Sequence, residues 1–218
     1  MQETFGGRRV LDPSERIAEV VFGLIMVLTF TGSLSIAEAG RAEVRAMLIG
    51  ALGCNFAWGI IDGVLYLMGA FAERGQGLQT YRLVRTTTDA AQGQRLIADT
   101  LPPLVASVLR PEELEMVRER LLALPDAPPT ARLQRAEWRG ALGVFLLVFL
   151  STFPVAIPFI VMRDPTTALR VSNGIAITML FIAGVAYARA VGRSPWRVGI
   201  GMVVLGGVLV ALTLALGG

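Results

Sequence analysis

The chain has 218 residues, 54% of them hydrophobic, and a net charge of only +3. Its apolar residues gather into runs near the roughly 20 residues that cross a bilayer, which reads as an integral membrane protein and argues against nucleic-acid binding. It contains no histidine and one cysteine, Cys54. His-based zinc sites, His-containing catalytic triads, haem ligation by His and a disulfide within the chain are thereby excluded.

Residues 1–11 are polar and carry Arg8 and Arg9. Asp12-Pro13-Ser14-Glu15 then predicts a helix start: Asp12 can cap, Pro13 suits the first helical position, and Glu15 stands where a capping box needs it. The first span is expected over 17–37. Glu19 lies near its membrane boundary, and Glu19, Phe22, Met26 and Phe30 share one face. The basic start, the apolar run and Ala37-Glu38-Ala39 are also features of a signal peptide. The long apolar run and the further spans behind it favour an uncleaved segment.

A polar loop over 38–45 leads to the second span, 46–72, in which Asp62 is the only formally charged residue. A charge in hydrocarbon costs about 2.5–3.5 kcal/mol on insertion scales, so Asp62 must face protein, water or a cation. Asn55, Trp58, Asp62, Tyr66 and Gly69 follow steps of three and four and share one face. Beside them Gly59 and Gly63 form a GxxxG pair, with Gly50 and Gly53 as further small positions, which lets another helix approach closely.

From 73 to 139 the chain turns polar and Arg-rich, with a helical pattern. One helix is expected over 78–98, ended by Pro102-Pro103. A second opens at Arg110-Pro111-Glu112-Glu113 with Leu114, Val117, Leu121 and Leu122 inward, and ends before Pro125. A third starts near Thr130 and runs into the third span, 140–162. There Pro154 and Pro158 are expected to kink or unwind the helix. The fourth span covers 171–188 and the Gly-rich fifth 198–216. All 20 basic residues are Arg. Arg8, Arg9 and Arg16, ten Arg of residues 73–139, and Arg189, Arg193 and Arg197 fall on one side of a five-span chain. Only Arg41, Arg45, Arg163 and Arg170 fall on the other, so the N-terminus and residues 73–139 are expected in the cytoplasm.

The expected fold is thus all-α and membrane-integral: five transmembrane helices with a small cytoplasmic helical insert between helices 2 and 3. Its parts are a tail (1–11), helices 1–2 (12–72), the insert (73–139) and helices 3–5 (140–218). This order resembles the vacuolar iron transporter (VIT) family. The resemblance lies in FGLIMVLTFTGSLS of span one and LYLMGAFAERGQ at the end of span two. It continues in FPVAIPF of span three, similar to the family's Pro-x-x-Pro-Phe, and in SPWRVGIGMVVLGG opening span five. It implies a divergent bacterial member in the inner membrane. It also implies a homodimer through helices 1 and 2 whose pore passes Fe²⁺ in exchange for protons, with an insert that collects metal through glutamates.

The carry-over is uneven. Phe22-Gly23-Leu24 stands where the family has Asp-Gly-Leu, and Glu19, one turn earlier, can take that role. Ile61, Asp62 and Leu65 occupy the family's Met/Glu region of span two. In the insert only Glu112, Glu113, Glu115, Met116 and Glu119 resemble the metal-collecting set. The expected metal residues are these five with Asp62, Glu19, Met26 and Asn55, the last four on the transport path.

Each has a structural alternative. Asp62 can hydrogen-bond a neighbouring span, Glu19 can reach the headgroups, Met26 and Cys54 can pack, Asn55 can bridge helices, and the glutamates can form a solvated helix face. The expected function is export of a divalent metal, Fe²⁺ favoured, by proton antiport, with membrane lipid and a second copy as partners and no cofactor. The alternative is a structural or regulatory membrane protein of the same fold, or a transporter of another solute. No nucleophile–base pair, phosphate loop or cofactor fingerprint suggests an enzyme.

Overall fold

The computed structural model describes residues 11–32, 41–126 and 129–215. Arg8 and Arg9, the triplet Ala37-Glu38-Ala39 and the side chain of Phe30 lie outside the described residues. Among those described, every regular element is a helix: α1 Pro13–Gly32, α2 Arg41–Thr86, α3 Ala90–Ala98, α4 Pro103–Val108, α5 Pro111–Leu122, α6 Arg135–Val161, α7 Pro165–Ala190 and α8 Pro195–Ala215. α2, α6 and α7 contain stretches long and apolar enough to cross a membrane. α1 and α8 stand where the first and fifth spans are expected. α1 carries Glu15, Arg16 and Glu19 in its first two turns, and the apolar stretch of α8 that qualifies is the shorter Pro195–Leu209.

The helix starts follow local chemistry. The backbone N–H of Asp12 donates to Glu15 Oε2 at 2.8 Å, half of the capping box expected there. α7 begins earlier than the expected 171: Asp164 accepts from the Thr167 N–H at 2.8 Å, and Pro165 occupies the first turn. The Thr167 hydroxyl, which donates to the same carboxylate at 2.6 Å, and then the Thr167 N–H hold the Asp164 carboxyl below its ordinary range.

Two expectations are corrected. α2 does not stop at the compositional change near Glu73 but continues to Thr86. Charge does not end a helix, and Gly75 and Gly77 weaken one by only about 1 kcal/mol each. The break comes at Thr86-Thr87-Thr88. There the Thr86 and Thr87 hydroxyls donate back to the Leu83 carbonyl, at 3.2 and 2.8 Å, and Asp89 caps α3 through the Ala91 N–H. α6 continues as one helix through Pro154 and Pro158, so the helix does not unwind there. Each proline leaves one carbonyl four residues back without its helical N–H, and the helix closes with Met162 N–H donating to Pro158 O at 2.9 Å.

The chain divides into two compact units, Met1–Tyr66 with Ala136–Gly218, and Leu67–Arg135. In the first, α1 packs on α7 and α8, and α7 on α8. The core joins Val21, Leu24, Val27 and Leu28 of α1, Ala51 of α2, Val155 of α6, and Ala176, Leu180 and Ala183 of α7. Close approach of α7 and α8 depends on Gly184, where a Cβ would come within 2.8 Å of the Gly199 Cα. In the second unit α3 packs on α5. Val84 and Ile97 are buried there, while Val117 and Leu122, expected inward, are exposed. The turn after α5 is held by the last turns of α2. Tyr81 Oη donates to Pro125 O at 2.7 Å, Arg85 donates to Leu124 O at 2.7 Å, and Arg85 pairs with Asp126 at 2.8 Å.

Candidate functional site

The expected transport residues meet where α1 and α2 run antiparallel. Asn55, fully buried on α2, donates through Nδ2 to the Gly23 carbonyl of α1 at 3.1 Å and to Thr152 Oγ1 of α6. About one turn along, Phe22 of α1 and Trp58 of α2 stack edge to face with centroids 5.7 Å apart. A further turn brings Glu19 and Asp62 into electrostatic range of each other, with Glu15 acting on Glu19 from the turn before. The order 23, 22, 19 against 55, 58, 62 is that of an antiparallel pair facing along one line. Glu19 and Asp62 therefore come to the same level although 43 residues separate them in the chain.

Asp62 and Glu19 are both half-buried. Met26 is seven residues beyond Glu19, and Asn55 seven before Asp62, so both lie about 10.5 Å further along the line. The line thus carries a carboxylate pair and, two helical turns on, Met26 on α1 and Asn55 on α2. Asn55 Oδ1 is buried without a hydrogen-bond partner among the described residues. That is an available oxygen acceptor facing the α1–α2–α6 junction, where an unpaired buried acceptor is costly. Among the described residues no group of three or more Asp, Glu or Cys gathers closely enough to hold a metal ion; one chain offers the pair Glu19 and Asp62.

The GxxxG pair serves this geometry from within the chain. A Cβ on Gly59 would meet the Phe145 carbonyl at 3.1 Å, and one on Gly63 the Ala141 carbonyl at 3.1 Å, so α6 is the helix that approaches. Gly140 of α6 lies against the Tyr66 ring in the same way. With this face of α2 on α6, the neighbouring row turns Asp62 toward α1. Cys54 is free and half-buried.

On α5 the expected acidic set divides. Glu113 accepts from the Arg110 backbone N–H at 2.8 Å, a cap contact. Glu115 accepts from Arg118 at 2.6 Å and from Gln94 at 2.9 Å. The Arg118 guanidinium and then the Gln94 amide hold its carboxyl down to about 2. Glu112, Met116 and Glu119 follow steps of four and three on the exposed side. Sequence reasoning placed all five together and missed Arg118 and Gln94 as the partners of Glu115. A basic residue three positions on was the available signal for the first.

Residues 82–218 match the sequence profile of the VIT family. The chain belongs to the VIT family. It is therefore an integral membrane protein of a class that moves metal ions across membranes, and family members are transporters rather than enzymes. The match begins inside α2 and covers α3 to α8, whereas Glu19, Asn55 and Asp62 precede it. The assignment of this VIT family chain thus rests on the insert and the last three long helices, independently of the carboxylate pair. No curated protein matches the chain.

Proposed function

We propose that the chain is a divalent metal/proton antiporter that exports Fe²⁺, or a similar cation, from the cytoplasm. The observation that carries this reading is the meeting of Glu19 and Asp62 across α1 and α2 inside a hydrophobic unit. An ionised carboxylate pair binds a divalent cation, and the protonated pair releases it. One site that takes either two protons or one metal ion couples their movements in opposite directions. Asn55 Oδ1 and the Met26 sulfur would offer the next position, the thioether favouring a softer ion than Mg²⁺ or Ca²⁺.

In this reading α1 and α8 also span, giving five transmembrane helices. The bias of Arg toward one side supports a cytoplasmic N-terminus and cytoplasmic residues 73–139, in a bacterial inner membrane. Two copies pair through α1 and α2. The support is a row on α2 at steps of three and four, Trp58, Ile61, Leu65 and Met68, in which 39%, 43%, 55% and 61% of each residue is exposed. Asp62 lies beside that row. A two-fold axis there would double the carboxylates from two to four and answer the small ligand count of a single chain. The open Glu112, Met116 and Glu119 would provide a weak capture surface.

The absence of a larger ligand group among the described residues favours the second reading, a non-transporting membrane protein of the same fold. Reconstituted vesicles with an imposed proton gradient separate the two. Antiport requires gradient-driven Fe²⁺ movement that falls at least tenfold in Asp62→Asn and in Glu19→Gln. Unchanged flux in both variants refutes the carboxylate mechanism, and no flux of any divalent ion in the wild type favours the second reading.

A further inference from the structure

We propose that the groove between the first turns of α1 and α6 is a binding site for one anionic phospholipid of the cytoplasmic leaflet. The groove has a volume of about 580 Å³ and is lined by Arg16 and Val20 of α1, by Arg139, Leu147 and Ser151 of α6, and by Met179 of α7. All belong to one compact unit. A volume of that size lies within the range of ligand pockets and takes part of a lipid, a single acyl chain, rather than the whole molecule.

Its charge is polarised. Arg16 stands in the first turn of α1 and Arg139 in the second turn of α6; Leu11 against Gly143 and Gly23 against Val148 show the two helices running the same way, so both arginines come from the helix starts. The Arg16 Nε–H donates to the Leu11 carbonyl at 3.1 Å, which anchors the stem and leaves both Nη groups for an anion. Among the described residues neither arginine is in an ion pair. The rest of the groove is apolar apart from Ser151, whose hydroxyl is already spent on the Val148 carbonyl at 2.7 Å.

The dimensions match one leaflet. Ser151 follows Arg139 by twelve residues of continuous helix, so the groove runs about 18 Å from its charged mouth to its far end. Half of a bilayer's hydrocarbon core is about 15 Å. A phosphate at the two arginines would let one acyl chain follow α6 down past Gly143 and Leu147. Two unpaired cations above an apolar channel select a negative head on a hydrophobic tail, and basic pockets between helices on the cytoplasmic side are suited to such lipids. The leaflet assignment rests on the proposed orientation of α1 and α6; the site itself does not depend on metal transport.

The test is lipid retention by the full chain in detergent, read by native mass spectrometry. The probes are phosphatidylglycerol, phosphatidylcholine with the same acyl chains, and soluble glycerol phosphate. A basic side chain at a membrane surface multiplies anionic-lipid affinity by about fivefold, so two give a preference of about twenty-five-fold for phosphatidylglycerol. Arg16→Ala with Arg139→Ala should remove that preference, and Arg16→Lys with Arg139→Lys should retain most of it. Gly143→Phe should lower retention of both lipids by filling the channel, since a Cβ at Gly143 already comes within 3.1 Å of the Leu11 side chain.

Equal retention of the two lipids by the wild type overturns the proposal, as does a preference that survives in the double alanine variant. Competition by glycerol phosphate as strong as that of the lipid also overturns it. So does a Gly143→Phe variant whose lipid preference is intact but whose oligomeric state changes, which would make the occupant a second copy. If Gly143→Phe does not fold, the arginine variants decide alone. A wild type that keeps the lipid preference but moves no divalent ion would count against the antiport reading only.

Discussion

Gly23 offers a test of how α1 is seated, because the geometry separates two opposing effects of one methyl group. In a helix interior, Gly→Ala is favourable by about 0.5–1 kcal/mol from backbone entropy alone. At Gly23 the new Cβ would lie 2.5 Å from the Val148 carbonyl oxygen of α6 and would also meet the Ser151 hydroxyl. α1 cannot retreat, since Leu24 and Val27 beside it are fully buried. The clash is with backbone, so relief requires the helices to part. Forced overpacking costs about 1–3 kcal/mol. Parting α1 from α6 also strains the Asn55 bond to the Gly23 carbonyl, a bond of about 0.6 kcal/mol by the average for membrane helices. The net expectation is a loss of about 1–2 kcal/mol after the entropic gain is subtracted. For a chain of this length that lowers the melting temperature by about 2–8 °C. Gly53 is the internal control: nothing lies within 4 Å of its Cβ position. Gly53→Ala should melt at or slightly above the wild type. Thermal unfolding of the three proteins in one detergent decides the matter. Gly23→Ala melting as high as Gly53→Ala refutes the close α1–α6 contact, and with it the seating of the carboxylate pair.

Other outcomes follow from the same contacts. Asn55→Leu should lower stability by about 1–2 kcal/mol, because it removes the amide that donates to both the Gly23 carbonyl and Thr152; an unchanged melting temperature would show that the junction tolerates its loss. Glu115 is held down to about 2 by Arg118 and Gln94, against an unfolded-state value near the ordinary 4.5. Because the folded value is depressed, its stabilisation is complete above about pH 4.5 and fades as the pH falls toward 2. The melting advantage of wild type over Glu115→Gln should therefore be flat near neutral pH and shrink in acid; an advantage that grows in acid contradicts the pairing. Arg85→Ala should raise hydrogen exchange over 119–126 at least tenfold, as measured by mass spectrometry, since one guanidinium serves Leu124 O, Pro125 O and Asp126. Unchanged exchange there would mean that Tyr81 holds the turn alone.

The sequence by itself determined what depends on neighbours along the chain. Apolar length marked α2, α6 and α7 as long enough to cross a membrane, Asp12 to Glu15 marked the start of α1, and Asn55 was legible as a helix-bridging donor. Asp62 stood out because a lone carboxylate in an apolar run demands a partner. The identity of each partner was decided only by tertiary structure. Gly59 and Gly63 announced a close helix but not that it would be α6, and nothing local ties Asn55 to Gly23 and Thr152. The level shared by Glu19 and Asp62 depends on the register of two antiparallel helices, which core packing sets. Where α2 ends differs from what composition suggests, since polarity changes near Glu73 while helical hydrogen bonding, which is indifferent to polarity, continues to the threonines. The division of the α5 glutamates turned on Gln94, 21 residues away. Periodicity and capping act over a few residues and can be read in order; register and side-chain pairing are settled by distant atoms competing for the same space.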